Sequence, residues 1–495
     1  MEAPSTKNDW LALKSTLVFQ NKSWIDGQWY TPITGETYDV INPATGEVLT
    51  DMAACQKEDV DIAVAAAKRT FECGEWSQTS PSHRKSVLKK LASLILENMS
   101  EFALLESLNM GKPVADAVNI DIPGSAACIE WYAEAIDKIY GDVAPTDANN
   151  IATITREPVG VVAAVVPWNF PLDIAVWKLA PALITGNSVV LKPAEESPHT
   201  VLKLAELAKQ AGLPDGVLNI VTGVGAITGK ALGLHNDVDC LVFTGSTATG
   251  KRFLQYSAES NMKQVWPETG GKSPNLIFED CNLDDAVAGA INGIFFNQGE
   301  VCSANSRILV DNKIKKQFVS AFIKAAQKLV LGDPLDAETQ VGAIINTAQV
   351  ERMLAMIEGA KKEGAELVLG GEADESGRFL YPTIFDQVTP SMQIAVEEIF
   401  GPVAVVIGFD SEDEAIQIAN DSIYGLAASV WSNNLSLVYR VSRRLRAGTV
   451  SVNTVDALDF STPFGGYKQS GFGRDLSLYA LDKFTQLKTT WIKLS

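Results

Sequence analysis

The chain has 495 residues, of which 46% are hydrophobic and 20% are charged, and its formal net charge is −19 at pH 7. This length exceeds what one hydrophobic core usually organises, so two or three domains are expected, and the ordinary globular composition excludes a largely disordered chain. The acidic balance argues against nucleic-acid and anionic-membrane partners, because both require clustered Lys and Arg.

The beginning of the chain predicts a cytoplasmic protein with a helix-rich first part. The N-terminal stretch MEAPSTKNDWLALKST has no basic region followed by an apolar core, so a cytoplasmic location is expected. The apolar stretches 159–166 and 183–191 are too short to span a bilayer, so no membrane partner is expected. Apolar residues recur at helical spacing from Val87 to Leu105 after the start signal Ser80-Pro81, which predicts an amphipathic helix.

From Val159 onward, short apolar runs alternate with helical segments. The runs GVVAAVVPWN, NSVVLKP, GVLNIVTG and CLVFTG are separated by such segments, which predicts a parallel sheet and a nucleotide-binding half. After Pro274 the alternation restarts, with helices predicted over 283–297 and 313–331 and a strand over 306–310. A second α/β domain is therefore expected to begin near residue 270.

Two further segments, 151–155 and 484–493, are rich in Thr and in aromatic or β-branched residues. This composition predicts strands that lie outside the two main sheets. Exposed edge strands tend to pair with another chain, so we expect subunits of this protein to associate.

The cysteines and histidines do not predict a metal site. The six cysteines form no CxxC pair, and the three histidines show no ligand spacing with them. No histidine lies near a GxSxG elbow, which argues against a Ser-His-Asp hydrolase. A general base in this chain is therefore expected to be a carboxylate.

The segment GSTATGKR, residues 245–252, predicts a phosphate-binding turn between a strand and a helix. The backbone N–H groups at such a helix start face a phosphate. The segment is nearly a P-loop, but Arg252 stands where an NTPase needs Ser or Thr to hold magnesium. We therefore favour a dinucleotide over an NTPase, and a glycine turn that only packs stays open.

Lys192 and Glu195 end another apolar run, in the sequence KPAE. Charged side chains at the carboxyl ends of parallel strands are placed to grip the ribose hydroxyls of a nucleotide. A carboxylate there repels a 2′-phosphate, which favours NAD over NADP. An ordinary solvated corner between strand and helix is an equal alternative.

Two residues are candidates for the chemistry itself. Glu268 follows the apolar VWP, and a carboxylate in such surroundings has a raised pKa suited to proton abstraction. Cys302 follows a glycine-containing turn, where a backbone N–H can face an oxyanion on the carbon that a thiolate attacks. A lone cysteine is more often an inert core residue, so the spacing alone does not decide.

Seven segments together resemble the aldehyde dehydrogenase superfamily, in the family's order and over nearly the whole chain. They are PWNFP (167–171), KPAE (192–195), FTGSTATG (243–250), ETGGKSPN (268–275), GEVCSA (299–304), EEIFGP (397–402) and PFGGYKQSG (463–471). Family members often carry Leu where this chain has Thr269. The difference bears on the subfamily to which the chain belongs and leaves the base in place.

The resemblance implies an α/β fold with three parts and an enzyme that oxidises an aldehyde to an acid with NAD, NADP being possible. The parts are a Rossmann-like NAD(P)-binding domain (20–145 and 159–269), a catalytic α/β domain (270–475) and a small β oligomerisation arm (146–158 and 480–495), which makes a homodimer or homotetramer. The implied site residues are the nucleophile Cys302, the base Glu268, Asn169 for the oxyanion, Lys178 for proton relay, and the cofactor contacts Trp168, Lys192, Glu195, Gly245, Ser246, Glu398 and Phe400.

The C-terminal segment 453–492 looks most like bacterial enzymes of polyamine and arginine breakdown. This likeness predicts an ω-aminoaldehyde substrate, such as γ-glutamyl-γ-aminobutyraldehyde or 4-guanidinobutyraldehyde. Asp121, Asp456 or Asp459 would attract the distal cation, and Trp177 would supply an aromatic wall. The alternatives are that these aspartates are caps or solvated charges, that the substrate is betaine aldehyde or a plain aliphatic aldehyde, or that the chain is a non-catalytic scaffold.

Overall fold

The computed structural model describes residues 4–494, with the helices and strands bounded as follows. The helices are α1 (Lys7–Thr16), α2 (Lys57–Cys73), α3 (Pro81–Glu97), α4 (Met99–Met110), α5 (Val114–Asp116), α6 (Ile122–Ala135), α7 (Pro171–Ile184), α8 (His199–Ala211), α9 (Lys230–Leu234), α10 (Thr247–Glu259), α11 (Leu283–Phe295), α12 (Asn312–Ala326), α13 (Thr347–Glu363), α14 (Gln393–Val396), α15 (Glu412–Asn420) and α16 (Leu435–Arg444). The strands are β1 (Ser23–Ile25), β2 (Gln28–Tyr30), β3 (Thr37–Ile41), β4 (Val48–Ala53), β5 (Asp142–Ala144), β6 (Asn150–Pro158), β7 (Val161–Val165), β8 (Ser188–Lys192), β9 (Leu218–Ile220), β10 (Cys240–Gly245), β11 (Gln264–Thr269), β12 (Pro274–Ile277), β13 (Arg307–Asp311), β14 (Glu366–Leu369), β15 (Thr383–Asp386), β16 (Val403–Phe409), β17 (Ala427–Trp431), β18 (Thr449–Val452) and β19 (Thr485–Lys493).

The first sheet has seven strands in the order β11-β10-β7-β8-β9-β1-β2. The strands β11 to β9 of this order run parallel, and β7 and β8 are buried along their whole length. Continuous apolar runs suit strands that helices cover on both faces, and β7 (VVAAV) and the middle of β8 (SVVLK) are such runs. The predicted βαβα alternation is confirmed, and the carboxyl ends of β8, β10 and β11 lie along one edge.

The second sheet also has seven strands, in the order β14-β15-β16-β13-β12-β17-β18. All its neighbours pair in parallel except β14 with β15. Its first strand in the chain begins at Pro274, only a few residues after β11 of the first sheet ends. This short connection brings Glu268 on β11 close to the residues that lead into the second sheet.

A three-stranded antiparallel sheet, β19-β6-β5, lies outside the two large sheets. β6 and β19 pair along their whole length, from Thr485 opposite Pro158 to Lys493 opposite Asn150. The two strands predicted outside the main sheets are therefore confirmed. Leu487 and Trp491 on β19 are each 65% exposed, so this sheet presents apolar side chains at its surface.

Two predicted helices differ from the observed ones. Ser80 caps α3 and Pro81 is its first residue, as expected, but the helix ends at Glu97, and a separate helix starts after Asn98. The helix predicted to reach residue 331 ends at Ala326. Within residues 4–494, none of the helices combines the length and the apolarity that a membrane crossing needs.

Candidate active site

A cavity of about 850 Å³ is lined by residues that follow β10 and β11 of the first sheet and by the loop that precedes β13 of the second. The parallel pairing of β10 with β11 sets Thr244 opposite Glu268 and Gly245 opposite Thr269. Ligands in open α/β sheets bind beyond the carboxyl ends of the strands, which is where this cavity lies. The predicted site residues that line it are Asp121, Trp168, Asn169, Trp177, Gly245, Ser246, Glu268, Cys302, Glu398, Phe400 and Asp456.

The loop between α11 and β13 holds Cys302 in place. Asn297 and Gln298 adopt positive φ angles of 49° and 56°, which turn the chain sharply after α11. Two side-chain hydrogen bonds stabilise the turn. Gln298 Oε1 accepts from Gly342 N at 3.2 Å, and Glu300 Oε1 accepts from Ile345 N at 3.1 Å. A non-glycine backbone held in this region is strained, so the packed surroundings fix its conformation.

Cys302 is partly exposed, and its exposed surface faces the cavity. Burial raises the pKa of its thiol above the ordinary range, and the nearby carboxylates of Asp456, Glu398 and Glu268 raise it further. A thiol in these surroundings is protonated at neutral pH. Its reactivity as a nucleophile therefore requires a neighbouring base.

Glu268, on β11, is such a base. Its side chain is buried and lines the cavity, and within residues 4–494 neither carboxylate oxygen has a hydrogen-bond partner. Burial raises the pKa of Glu268 to about 8, Asp475 raises it too, and nearby Lys and Arg side chains lower it. The space around the carboxylate depends on Gly465, where a Cβ would lie 2.8 Å from Glu268 Oε1. Thr269, the departure from the family's usual residue, donates to the carbonyl of Gln469 at 2.6 Å.

Asn169 lies just before α7 and is 3% exposed. Its Nδ2 donates to the carbonyl of Glu300 at 2.8 Å, and Asn297 Nδ2 donates to the carbonyl of Asn169 at 3.1 Å. These two bonds join the start of α7 to the loop that carries Cys302. A side-chain amide has two protons, so Asn169 keeps one that can face the cavity.

The cavity also carries groups that fit a dinucleotide. Ser246 caps α10, a 13-residue helix whose start faces the cavity, and Gly245 before it has a φ of 159°. A helix N-terminus of this kind binds phosphate oxygens. Glu398 Oε1 accepts from Gly271 N at 3.0 Å, and a Cβ on Gly270 would lie 2.0 Å from the Glu398 carboxylate, so a larger residue at 270 would displace that carboxylate. Trp168 and Phe400 line the same region, with their rings edge to face at 5.3 Å.

Lys192 and Glu195 do not line the cavity and lie farther along the same sheet edge, at the end of β8. Lys192 is buried, and its Nζ donates to the carbonyl of Pro193 at 2.8 Å and to Glu195 Oε2 at 3.4 Å. Glu195 Oε1 accepts from Gly225 N at 2.5 Å. The donors and acceptors along this edge, from the α10 N-terminus to Glu195, match the phosphates and ribose of NAD. Within residues 4–494 no cluster of potential metal ligands is present.

Lys178, on α7, is completely buried and also does not line the cavity. It donates to one carboxylate oxygen of Asp475, and Lys483 donates to the other. Asp475 itself lines the cavity together with Glu268. Burial alone would raise the pKa of Asp475, but the two lysines lower it, so its carboxylate is ionised. The family resemblance supplied Lys178, whereas Asp475 and Lys483 were missed, although both lie in the segment 453–492, because neither belongs to the seven family motifs.

The predicted substrate aspartates occupy different surroundings. Asp121 lines the cavity but forms a buried ion pair with Lys112 at 2.8 Å, and Asp456 Oδ1 accepts from Ser303 Oγ at 2.7 Å. Asp459 is exposed outside the cavity lining, where it accepts from the backbone and hydroxyl of Ser461.

Asp173, which the sequence reasoning did not single out, lies in the first turn of α7 and lines the cavity beside Trp177. Its side chain is partly exposed to the cavity. Burial raises the pKa of Asp173 to about 7, and the charge of Asp121 raises it further. The sequence signal that could have found it is its place two residues after PWNFP.

Known proteins resemble this chain over almost its full length. The profile described as "Aldehyde dehydrogenase family" matches residues 29–490. The NADP/NAD-dependent aldehyde dehydrogenase PuuC of Escherichia coli K12 is 49% identical over 486 residues, which cover 98% of each chain.

Solved structures agree with the sequence comparison. The crystal structure of a γ-glutamyl-γ-aminobutyraldehyde dehydrogenase from Burkholderia cenocepacia is 51% identical and superposes with a TM-score of 0.97, over 99% of this chain and 100% of that one. The crystal structure of an indole-3-acetaldehyde dehydrogenase with NAD⁺ is 50% identical, with a TM-score of 0.98 over 99% and 100% of the two chains.

Proposed function

This chain belongs to the aldehyde dehydrogenase family and is an NAD(P)-dependent enzyme that oxidises aldehydes; from this premise we propose which residues act and which aldehydes it takes. The observation that carries the proposal is the single cavity shared by Cys302, Glu268, Asn169 and the helix start at Ser246.

The first half of the reaction uses Cys302 as the nucleophile. Glu268 accepts the thiol proton, Cys302 Sγ forms a bond to the aldehyde carbon, and the carbonyl electrons move to the oxygen. The free amide proton of Asn169 and the backbone N–H of Cys302 stabilise the negative charge on that oxygen. Bound NAD(P) would supply the hydride acceptor. Loss of the former aldehyde hydrogen with its two electrons would restore the carbonyl and leave the carbon on Cys302 as a thioester.

The second half releases the acid. Once the thiol proton has left Glu268 by the proposed relay, Glu268 takes a proton from a water molecule and the water oxygen attacks the thioester carbon. The bond to Cys302 Sγ then breaks, the sulfur leaves as a thiolate, and that thiolate takes back the proton from Glu268. A carboxylate whose pKa is raised to about 8 suits this task, because it holds a proton more strongly than an exposed carboxylate does. Lys178 acts through Asp475, which it contacts, and we keep proton relay as its proposed role.

For the cofactor, we propose that NAD is preferred over NADP. Glu195 would accept hydrogen bonds from ribose hydroxyls, and its charge would repel a 2′-phosphate. The side chains of Glu398, Phe400 and Trp168 would hold the nicotinamide end, and the start of α10 would hold the phosphates.

For the substrate, we propose an ω-aminoaldehyde such as 4-guanidinobutyraldehyde or γ-glutamyl-γ-aminobutyraldehyde. Asp173 supports this class, because its carboxylate lines the cavity among apolar walls and a cation beside it would offset its burial. Trp177 adds an aromatic face on which an amine or guanidinium can rest.

A panel of aldehydes tests the substrate class. The values of kcat/KM for 4-guanidinobutyraldehyde, 3-aminopropanal, betaine aldehyde, indole-3-acetaldehyde and hexanal would be compared by NADH absorbance, with NADP in parallel. We expect kcat/KM for 4-guanidinobutyraldehyde, which carries a guanidinium, and for 3-aminopropanal, which carries a primary ammonium, to exceed kcat/KM for hexanal. A higher kcat/KM for hexanal or for indole-3-acetaldehyde rejects cation recognition and leaves aldehyde oxidation intact.

We further propose that the chain forms a homodimer or homotetramer through the sheet β19-β6-β5. Exposed apolar side chains on this sheet support the proposal, among them Val143 at 73% and Leu487 and Trp491 at 65% each. Light scattering on the purified enzyme would show a mass of two or four chains. A monomeric mass at micromolar concentration would reject the assembly.

A further inference from the structure

Asp475 is held between two buried lysines and lines the same cavity as the proposed base, Glu268. Lys178 contacts one carboxylate oxygen and Lys483 the other, and the three residues are at most 2% exposed. Asp475 and Glu268 both line the active-site cavity. The pair formed by Lys178 and Asp475 would already be neutral, so Lys483 brings one additional positive charge into the protein interior.

Burying an unmatched charge is costly, so the additional charge needs a partner. Glu268 supplies one, since its two oxygens lack hydrogen-bond partners within residues 4–494 and its ionised form balances the second lysine. With Glu268 ionised, the two carboxylates and the two lysines have no net charge. If Lys483 were neutral, ionised Glu268 and Asp475 would be two buried negative charges. Of the two lysines, Lys178 alone would then offset them.

We propose that Lys483 is a positioning residue that keeps Glu268 available as a base by supplying the positive charge that offsets Asp475. The inference rests on the proposed role of Glu268 and adds a residue to it. Lys483 lies in the short 3₁₀ helix Leu478–Lys483 and is absent from the cavity lining, so it acts through Asp475 and through charge.

Other charged or titratable groups also face Glu268 and contribute to the charge around it. Arg474 lowers the pKa of Glu268, and its Nη1 donates to the carbonyls of Gly466 and Gly473. The pKa of the Cys302 thiol is raised, so it is uncharged at neutral pH. The charged or titratable groups that face Glu268 come from four parts of the chain. They are Lys178 on α7, Arg474 and Asp475 in the segment before the 3₁₀ helix, Lys483 in that helix, and Cys302 in the loop before β13.

The test is the pH dependence of kcat with hexanal and saturating NAD, because hexanal has no titrating group of its own. Lys483→Gln keeps a donor for Asp475 and removes the charge, so the pKa of Glu268 should rise and the acidic midpoint of the profile should move up by about 1 pH unit. Asp475→Asn should move that midpoint down. The double variant D475N/K483Q should return it close to the wild-type value, and Lys483→Arg should leave it in place.

Lys263→Met is the matched control. Lys263 is also buried, at 5% exposure, but its Nζ donates to the carbonyl of Gly233 and to Ser260 Oγ, away from the cavity. We expect its profile to coincide with that of the wild type. Circular dichroism and NAD binding would verify that each variant is folded.

These outcomes distinguish a failure of the proposed role of Lys483 from a failure of the proposed role of Glu268 as the base. The proposed role of Lys483 is overturned if the acidic midpoint of Lys483→Gln equals that of the wild type. It is also overturned if the midpoint of the double variant equals that of Asp475→Asn. If Lys483→Gln does not fold, the double variant decides, since a midpoint equal to that of Asp475→Asn contradicts the role of Lys483 and a midpoint that returns toward the wild-type value supports it. Full turnover of Glu268→Gln would instead reject Glu268 as the base, which is a failure of the proposed function.

Discussion

The side-chain amide of Asn169 donates to the backbone carbonyl of Glu300 at 2.8 Å, two residues before Cys302. This bond ties the segment just before α7 to the loop of the candidate nucleophile, although the two residues are 131 positions apart in the chain. The group proposed to stabilise the oxyanion is thus fixed relative to the sulfur. Such fixed donors act without reorganisation when charge develops on the substrate.

Cys302→Ala removes the proposed nucleophile and little else, because the side chain shrinks at the cavity surface. We expect turnover to fall by at least about 10⁴-fold, since no other group can form the thioester. NAD affinity, measured by fluorescence quenching, should stay within about 2-fold of the wild type, because a cavity-facing methyl group leaves the phosphate-binding turn unchanged. Appreciable NADH production by this variant would reject the nucleophile.

Asp456→Asn tests the electrostatics around the thiol. Burial raises the pKa of Cys302, and the Asp456 carboxylate raises it further. Neutralising Asp456 therefore lowers that pKa and increases the thiolate fraction at neutral pH. Alkylation of Cys302 by iodoacetamide at pH 7 should become about 3- to 10-fold faster. An unchanged or slower rate would show that the Asp456 charge does not act on the thiol.

Asp173→Leu tests recognition of a distal cation. We expect kcat/KM for 4-guanidinobutyraldehyde to fall by about 10- to 100-fold, because the variant loses a charge-assisted contact in a desolvated site. The value for hexanal should change by less than about 3-fold, since an alkyl end gains nothing from the carboxylate. Equal losses for both substrates would indicate a structural role for Asp173.

Asp285→Asn is the control for Asp173→Leu. Asp285 is also the third residue of its helix, α11, and it is exposed and absent from the cavity lining. Its loss removes the same favourable interaction with a helix dipole. Both substrates should keep their wild-type kcat/KM in this variant.

Glu195→Gln tests cofactor preference. The amide keeps an acceptor for Gly225 N, which the carboxylate now binds at 2.5 Å, and removes the negative charge. The ratio of kcat/KM for NADP to that for NAD should rise by about 10-fold, because the repulsion of a 2′-phosphate is lost. Glu206→Gln on α8 is the control and should not change the ratio. A constant ratio in Glu195→Gln would place the ribose elsewhere.

Local signals predicted much of the fold. Ser80 and Pro81 begin α3 as expected, because a hydroxyl cap and a proline at the first position act within one turn. The buried strands β7 and β8 were readable as apolar runs. The break at Asn98 was not, because the apolar spacing continues from α3 into α4 and carries no information about the packing that separates them.

The site was predictable only where its residues lie in contiguous segments. Cys302, Glu268 and Asn169 each belong to a motif, and all three line the cavity. The ion pair of Lys178 with Asp475 joins positions 297 apart, and no local pattern marks such a pair. Asp121 was predicted as one of three residues that could attract the substrate's cation, whereas the structure pairs it with Lys112 in a buried ion pair.

The most direct test of the mechanism is mass spectrometry of Glu268→Gln mixed with hexanal and NAD. The variant lacks the base that takes the thiol proton and activates water, so the first half should be slow and the second half should stop. We expect about one NADH per subunit and an acyl group on the peptide that contains Cys302. An unmodified Cys302, or an acyl group on Cys281 instead, would contradict the mechanism.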